Sequence, residues 1–157
     1  MYRGQIVTLD LLIALSIAMA VILVINTQWG VLLNSVDDYH VRISAEKAAY
    51  LSSFFLTNGP GYPSDWNNTN VRIVGVAKDL DVIDQTKFNT LMKINNNSLG
   101  EMLGVPEYKI FINLTNSTGT TINATGLRPV NQNLSSSVLS FVSFNSNLCK
   151  LYVTVWK

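Results

Sequence analysis

The feature that most constrains this chain is an apolar run near its start. From Leu11 to Ile25 the one polar residue is Ser16, and no charge follows Asp10 until Asp37. A helix that is apolar all round has no wet face, so it must be surrounded by lipid or by protein. Fifteen residues of helix span about 22 Å, short of the roughly 30 Å hydrocarbon core of a bilayer. Continuing through Asn26, Thr27, Gln28, Trp29 and Gly30 to Leu33 supplies the missing length. A removed secretory signal fits poorly, because the small-x-small candidate Ala18-Met19-Ala20 lies inside the run. Asp10 also stands where such signals carry only basic residues.

The helical pattern does not end with the apolar run. Val41, Ala45, Ala48, Ala49, Ser52 and Phe55 recur at three- and four-residue spacings, with Arg42, Glu46 and Lys47 between them. This predicts an amphipathic continuation that stops at Asn58-Gly59-Pro60, where glycine can cap and proline forbids another turn. One helix from about residue 6 to 57 would be roughly 75–80 Å long. Trp29-Gly30 is the expected place for a kink.

The remainder, residues 59–157, reads as a small α+β head. Val71 to Val76 is a short strand, Asp79 to Asp84 a connector, and Gln85 to Leu103 a helical stretch interrupted at Asn95-Asn96-Asn97. Tyr108 to Leu114, Ser136 to Phe144 and Leu148 to Trp156 read as strands, the last two joined by a hairpin turn at Asn145-Ser146-Asn147. The expected fold class is therefore α+β: a long N-terminal helix carrying an antiparallel β-rich head with a short extra helix.

Charge and composition narrow the function. Charged residues are 13 % of the 157, and the formal net charge is +1. Nucleic-acid binding needs a basic field that this chain lacks. The single cysteine, Cys149, excludes an internal disulfide framework and a multi-cysteine metal site, and its apolar surroundings predict a buried, inert thiol. His40 is the one histidine; with Asp37 it could form one edge of a metal site, but no further histidine or cysteine ligand exists. Asp79, Asp81 and Asp84 have a calcium-loop spacing without that loop's glycine or closing glutamate. No phosphate-binding glycine loop or nucleophile elbow occurs. The expectation is a protein that is not an enzyme and that holds no cofactor or metal.

Asparagine is abundant, at 17 residues, and Asn-x-Ser/Thr sequons begin at Asn67, Asn96, Asn113, Asn116, Asn123 and Asn133. They predict a glycosylated outer surface. No acid follows Glu107, so the second half of the head is polar but nearly uncharged, which suits close packing of many copies.

Arg3-Gly4-Gln5, followed by Asp10-Leu11-Leu12 and the apolar stretch, resembles the class III signal peptide of archaeal type IV pilins. In that family a short basic leader is cut beside a glycine by a membrane peptidase, an acid stands near the new N-terminus, and the apolar helix is kept. The resemblance implies a leader over residues 1–4, a processing site at Gly4 and Gln5, and a helix over residues 5–58. Cutting after Gly4 makes Asp10 the sixth residue; cutting after Gln5 makes it the fifth, the family's position, although the family's usual acid is glutamate. The resemblance further implies self-association into a filament through Asp10, Leu11, Leu12 and Leu15, with a prepilin peptidase and assembly machinery as partners. It places a precursor in the cytoplasmic membrane and the finished filament at the cell surface, with the head outward for adhesion. Gly61-Tyr62-Pro63-Ser64-Asp65-Trp66 and the closing Leu151-to-Trp156 strand also look like archaeal pilin-like sequences. The alternative is a single-pass surface protein that never polymerises and whose head binds a ligand or a partner.

Overall fold

The computed structural model describes residues 2–130 and 135–157, with side chains described for 9–33, 35–36, 39–130 and 135–157. The chain divides into two compact units, Met1–His40 and Val41–Lys157, although one helix, α1 (Tyr2–Asn58), runs through the division. The helix is unbroken across Trp29-Gly30.

The second unit is built on the C-terminal part of α1. Ala45, Ala48, Ala49, Ser52, Ser53, Leu56 and Thr57 are buried, all at 4 % exposure or less. Small side chains dominate this face, so the helix axis can come close to the layer it covers. Phe55, expected on the packed face, is 40 % exposed, and Leu56 takes that place with no exposure. The reason is angular: at 3.6 residues per turn, Ala45, Ala49, Ser52 and Leu56 stay on one line, whereas Phe55 falls to its flank.

The Val41–Asn58 part of α1 covers a six-stranded sheet. The strands are β1 (Ala77–Asp79), β2 (Val82–Ile83), β3 (Lys109–Asn116), β4 (Thr121–Gly126), β5 (Ser135–Phe144) and β6 (Asn147–Trp156), in the order β1-β2-β5-β6-β3-β4. Every pairing is antiparallel except the single parallel contact of Val82 with Ser143. The alternation read in the sequence puts Ile110, Ile112 and Leu114 of β3 and Cys149, Leu151, Val153 and Val155 of β6 in the core, each almost without exposure. A two-residue loop joins β5 to β6, with Asn145 at φ 52° and Ser146 at φ 62°, the left-handed pair that matches strand twist in a hairpin. Two short helices, α2 (Gln85–Leu91) and α3 (Leu99–Met102), lie between β2 and β3, separated by the asparagine cluster as expected. The molecule is thus mixed helix and sheet, with a long N-terminal apolar helix and a mainly antiparallel sheet.

Three local readings are corrected. Residues 71–76 are not a strand; their one ladder contact is the isolated bridge between Ile73 and Tyr62. Nearby amides are taken by other partners: Val74 N donates to Met102 O, Val76 N to Leu56 O and Ala77 N to Gly59 O, at 3.1 Å each. One of these bonds satisfies a carbonyl that α1 leaves open in its last turn, Leu56 O, while the others go to α3 and to the turn after α1. The tract 79–84, read as connector, contains β2. The tract after Thr115, where the sequence predicts no element, contains β4, which pairs with β3 from Phe111↔Gly126 to Thr115↔Thr121.

Trp66 fixes the helix exit. Its indole is 4 % exposed, and Nε1 donates to Pro60 O at 2.8 Å and Gly75 O at 2.9 Å. Gly75 lies against Gly59 O and Gly61 N so closely that a Cβ would collide with backbone on both sides.

Candidate functional site

The apolar span in the first unit is Leu9–Leu33, 25 residues with a mean hydropathy of 2.5 over its most apolar 18-residue window and no position buried. By length and composition it is long and apolar enough to cross a membrane. Leu11, Leu12 and Leu15 are 70 %, 64 % and 54 % exposed, and Asp10 is exposed beside them. Ser16 and Thr27 turn their hydroxyls back onto Ile13 O and Val24 O, both at 2.8 Å. That leaves the span's outer surface more apolar than its composition alone implies. Gly4 and Gln5 lie in the first turns of α1, and their side chains are outside those described.

The sequons sort into distinct environments. Asn67 is exposed; its Oδ1 accepts from the Thr69 hydroxyl at 2.6 Å and the Thr69 amide at 2.9 Å. Asn116 repeats the arrangement, accepting from the Thr118 hydroxyl at 2.7 Å and from Thr120 N at 2.8 Å. In both, the sequon threonine holds the amide by its oxygen, and neither Nδ2 donates a hydrogen bond within the described residues. Asn96 is a fastener, its Oδ1 accepting from Gly126 N at 3.1 Å. Asn113 lies in β3 between two paired strands, and its buried Oδ1 has no partner among the described residues. Asn123 is half-buried in the edge strand β4, and Asn133 lies outside the described residues.

The acidic residues weighed for calcium have other work or no convergence. Asp84 caps α2, its Oδ1 accepting from Thr86 N at 2.8 Å and Lys87 N at 3.1 Å. Asp79 accepts from the neighbouring Leu80 amide at 2.8 Å. No group of three metal-binding side chains occurs among the described residues. His40 is exposed against the edge of Tyr39, and the side chain of Asp37 is outside those described. Cys149 is buried, and burial pushes its thiol above the usual value. Lys157 pairs with Glu107 at 2.9 Å; their hydrogen bond lowers the Glu107 carboxyl and raises the Lys157 ammonium.

The sheet face turned away from α1 carries a feature that residue-by-residue reading missed. Strand alternation sets Ser137, Thr154 and Phe111 in one row across β5, β6 and β3, and Leu139, Tyr152 and Asn113 in the next. Over the first row and Asn113 of the second lies an open cavity of about 730 Å³, lined also by Thr121 and Arg128. The Arg128 guanidinium sits 5.6 Å from the centre of the Phe111 ring, and the Lys109 ammonium lies 4.6 Å above Trp156. Both cations rest on rings, and neither has an ion-pair partner among the described residues. The missing signal was the register: only strand pairing brings Ser137, Phe111 and Arg128 together from three parts of the sequence.

Compared with known protein families, with curated proteins and with solved structures, the chain matches none.

Proposed function

We propose that this protein is a structural subunit of a cell-surface filament of the archaeal type IV pilus kind, assembled by packing its apolar N-terminal helix against copies of itself, with Val41–Lys157 displayed for adhesion. The observation that carries the reading is the Leu9–Leu33 span, 25 mostly apolar residues of which none is buried within the chain. About 37 Å of such helix needs a surround: lipid in the precursor, neighbouring helices in the filament. The same span also supports the simpler alternative, a single-pass surface protein that stays in the membrane.

Asp10 separates the two. At headgroup depth a carboxylate is hydrated and costs little. In a helix bundle stripped of water it costs several kcal/mol unless paired. Cleavage after Gly4 or Gln5 by a prepilin peptidase creates an α-amino group, and a neighbouring subunit's amine is a suitable partner. The sequons fit a displayed head, with Asn67 and Asn116 presenting free amide nitrogens for glycans.

The test is the intact mass of protein from its native host, with electron microscopy of cells carrying Asp10→Ala. The filament reading expects a chain lacking residues 1–4 or 1–5, and loss of filaments in the variant while the head remains folded. A mass that includes Met1–Gly4, from a detergent-soluble monomer, overturns it in favour of the anchored protein. Normal filaments from Asp10→Ala would sink the pairing.

A further inference from the structure

We propose that the cavity on the outer sheet face binds an acidic saccharide, its carboxylate on Arg128 and its ring against Phe111. The proposal names a ligand class for the adhesive role given above and rests on that part alone; filament assembly is not needed for it.

Charge supports the anionic half. Lys109 and Lys150 share the outer face with Phe111 and Thr154, by strand register. Of these three cations only Arg128 lines the cavity itself, and no acidic side chain occurs anywhere after Glu107. No residue lining the cavity carries a side-chain carboxylate. Arg128 is exposed, and a guanidinium laid on a ring still has its in-plane N–H groups free for a bidentate carboxylate.

The lining supports a sugar over a bare anion. Around the one guanidinium stand the hydroxyls of Ser137, Thr154 and Thr121, the amide of Asn113 and the half-buried ring of Phe111. Hydroxyls and an amide match the alternating donors and acceptors of sugar hydroxyls, and an aromatic ring accommodates the apolar C–H face of a pyranose. Asn113 adds a specific incentive. Its buried Oδ1 lacks a partner among the described residues, and a small turn of the amide toward a sugar hydroxyl would satisfy it. A cavity of about 730 Å³ is within the usual range for small-ligand sites, roughly 300–1,000 Å³. A polyanion such as nucleic acid would need a track of cations, and the cavity itself offers one.

The full chain in detergent micelles, titrated with trigalacturonate and followed by calorimetry and by the amide resonances of Asn113 and Thr154, tests this. Saturable binding with Kd of about 1 mM or tighter is expected, with both resonances shifting. Galactotriose should bind at least about tenfold more weakly, since it lacks the charge-assisted contact. Arg128→Gln, at an exposed position where folding is not at stake, should weaken trigalacturonate at least about tenfold, while Lys93→Gln, on another exposed cation, changes nothing. Absence of saturation at about 10 mM ligand, or unchanged affinity in Arg128→Gln, overturns the proposal. Displacement by equimolar inorganic phosphate would mark a general anion site and overturn the saccharide. A glycan found covalently on Asn113 would also overturn it, by filling the cavity from within.

Discussion

Replacing Trp66 by Phe isolates what holds the exit of α1. The indole Nε1 donates to two carbonyls, Pro60 O and Gly75 O. They are not equally dependent on it. Pro60 O also accepts from Lys87 Nζ at 2.7 Å and keeps that partner. Gly75 is buried, and its carbonyl has no second bond among the described residues. The variant thus orphans one buried acceptor, costing about 1–3 kcal/mol. Loss of the larger ring removes roughly 40 Å² of buried apolar area, or about 1 kcal/mol at 25 cal/mol per Å². Together Trp66→Phe should destabilise the Val41–Lys157 unit by about 2–4 kcal/mol. Urea unfolding in detergent, followed by near-ultraviolet circular dichroism, reads this as a lower midpoint at unchanged slope. Trp29→Phe is the control: Trp29 is 57 % exposed, and its loss should move the midpoint by less than about 0.5 kcal/mol. A Trp66→Phe effect as small as the control's would refute the claim that this indole fastens the helix exit.

Three further outcomes are expected. Gly75→Ala should cost more than Trp66→Phe, above about 4 kcal/mol, because its Cβ would meet the backbone of Gly59 and Gly61; loss of cooperative unfolding is the readout. Ser146→Gly should stabilise by about 0.5–1 kcal/mol, since Ser146 holds φ 62° in the hairpin, a conformation glycine adopts without steric cost; the urea midpoint checks the sign. Cys149, buried and with its thiol raised by desolvation, should resist a thiol-disulfide reagent at pH 8 in native protein and react fully in denaturant.

What the sequence revealed depended on the range of the interaction that decides each element. Helix α1, β3, β5 and β6 carry their own periodicity, so each could be placed before any contact was known. The end of α1 was equally readable, because Gly59 and Pro60 act within a turn. Residues 71–76 misled for a physical reason: their apolar spacing serves burial of Val74 and Val76, while their amides go to scattered carbonyls, Asn67 O, Tyr62 O, Met102 O and Leu56 O, and not to one neighbouring strand. Strand β4 has weak propensity of its own in Asn123, Ala124 and Gly126; β3 beside it supplies the pairing. The sequons were legible as a list, but the difference between Asn116 and Asn113 depends on which face of β3 and which loop each occupies. The cavity near Arg128 has no local signature at all.

The order of the strands carries a consequence for how the head is made. Strand β6 sits in the interior of the sheet, paired along its length with both β5 and β3, yet it is the last of the strands to be synthesised. Until it emerges, β3 and β5 each present an open edge, and the hydrophobic face of α1 lacks most of the layer it will cover. Pairings such as Lys109 with Trp156 also close long loops, which slows the search for them. The apolar span of α1 leaves the ribosome long before that point. A chain built in this order completes its apolar span first and the central strand of its sheet last, so the edges of β3 and β5 stay open throughout the interval.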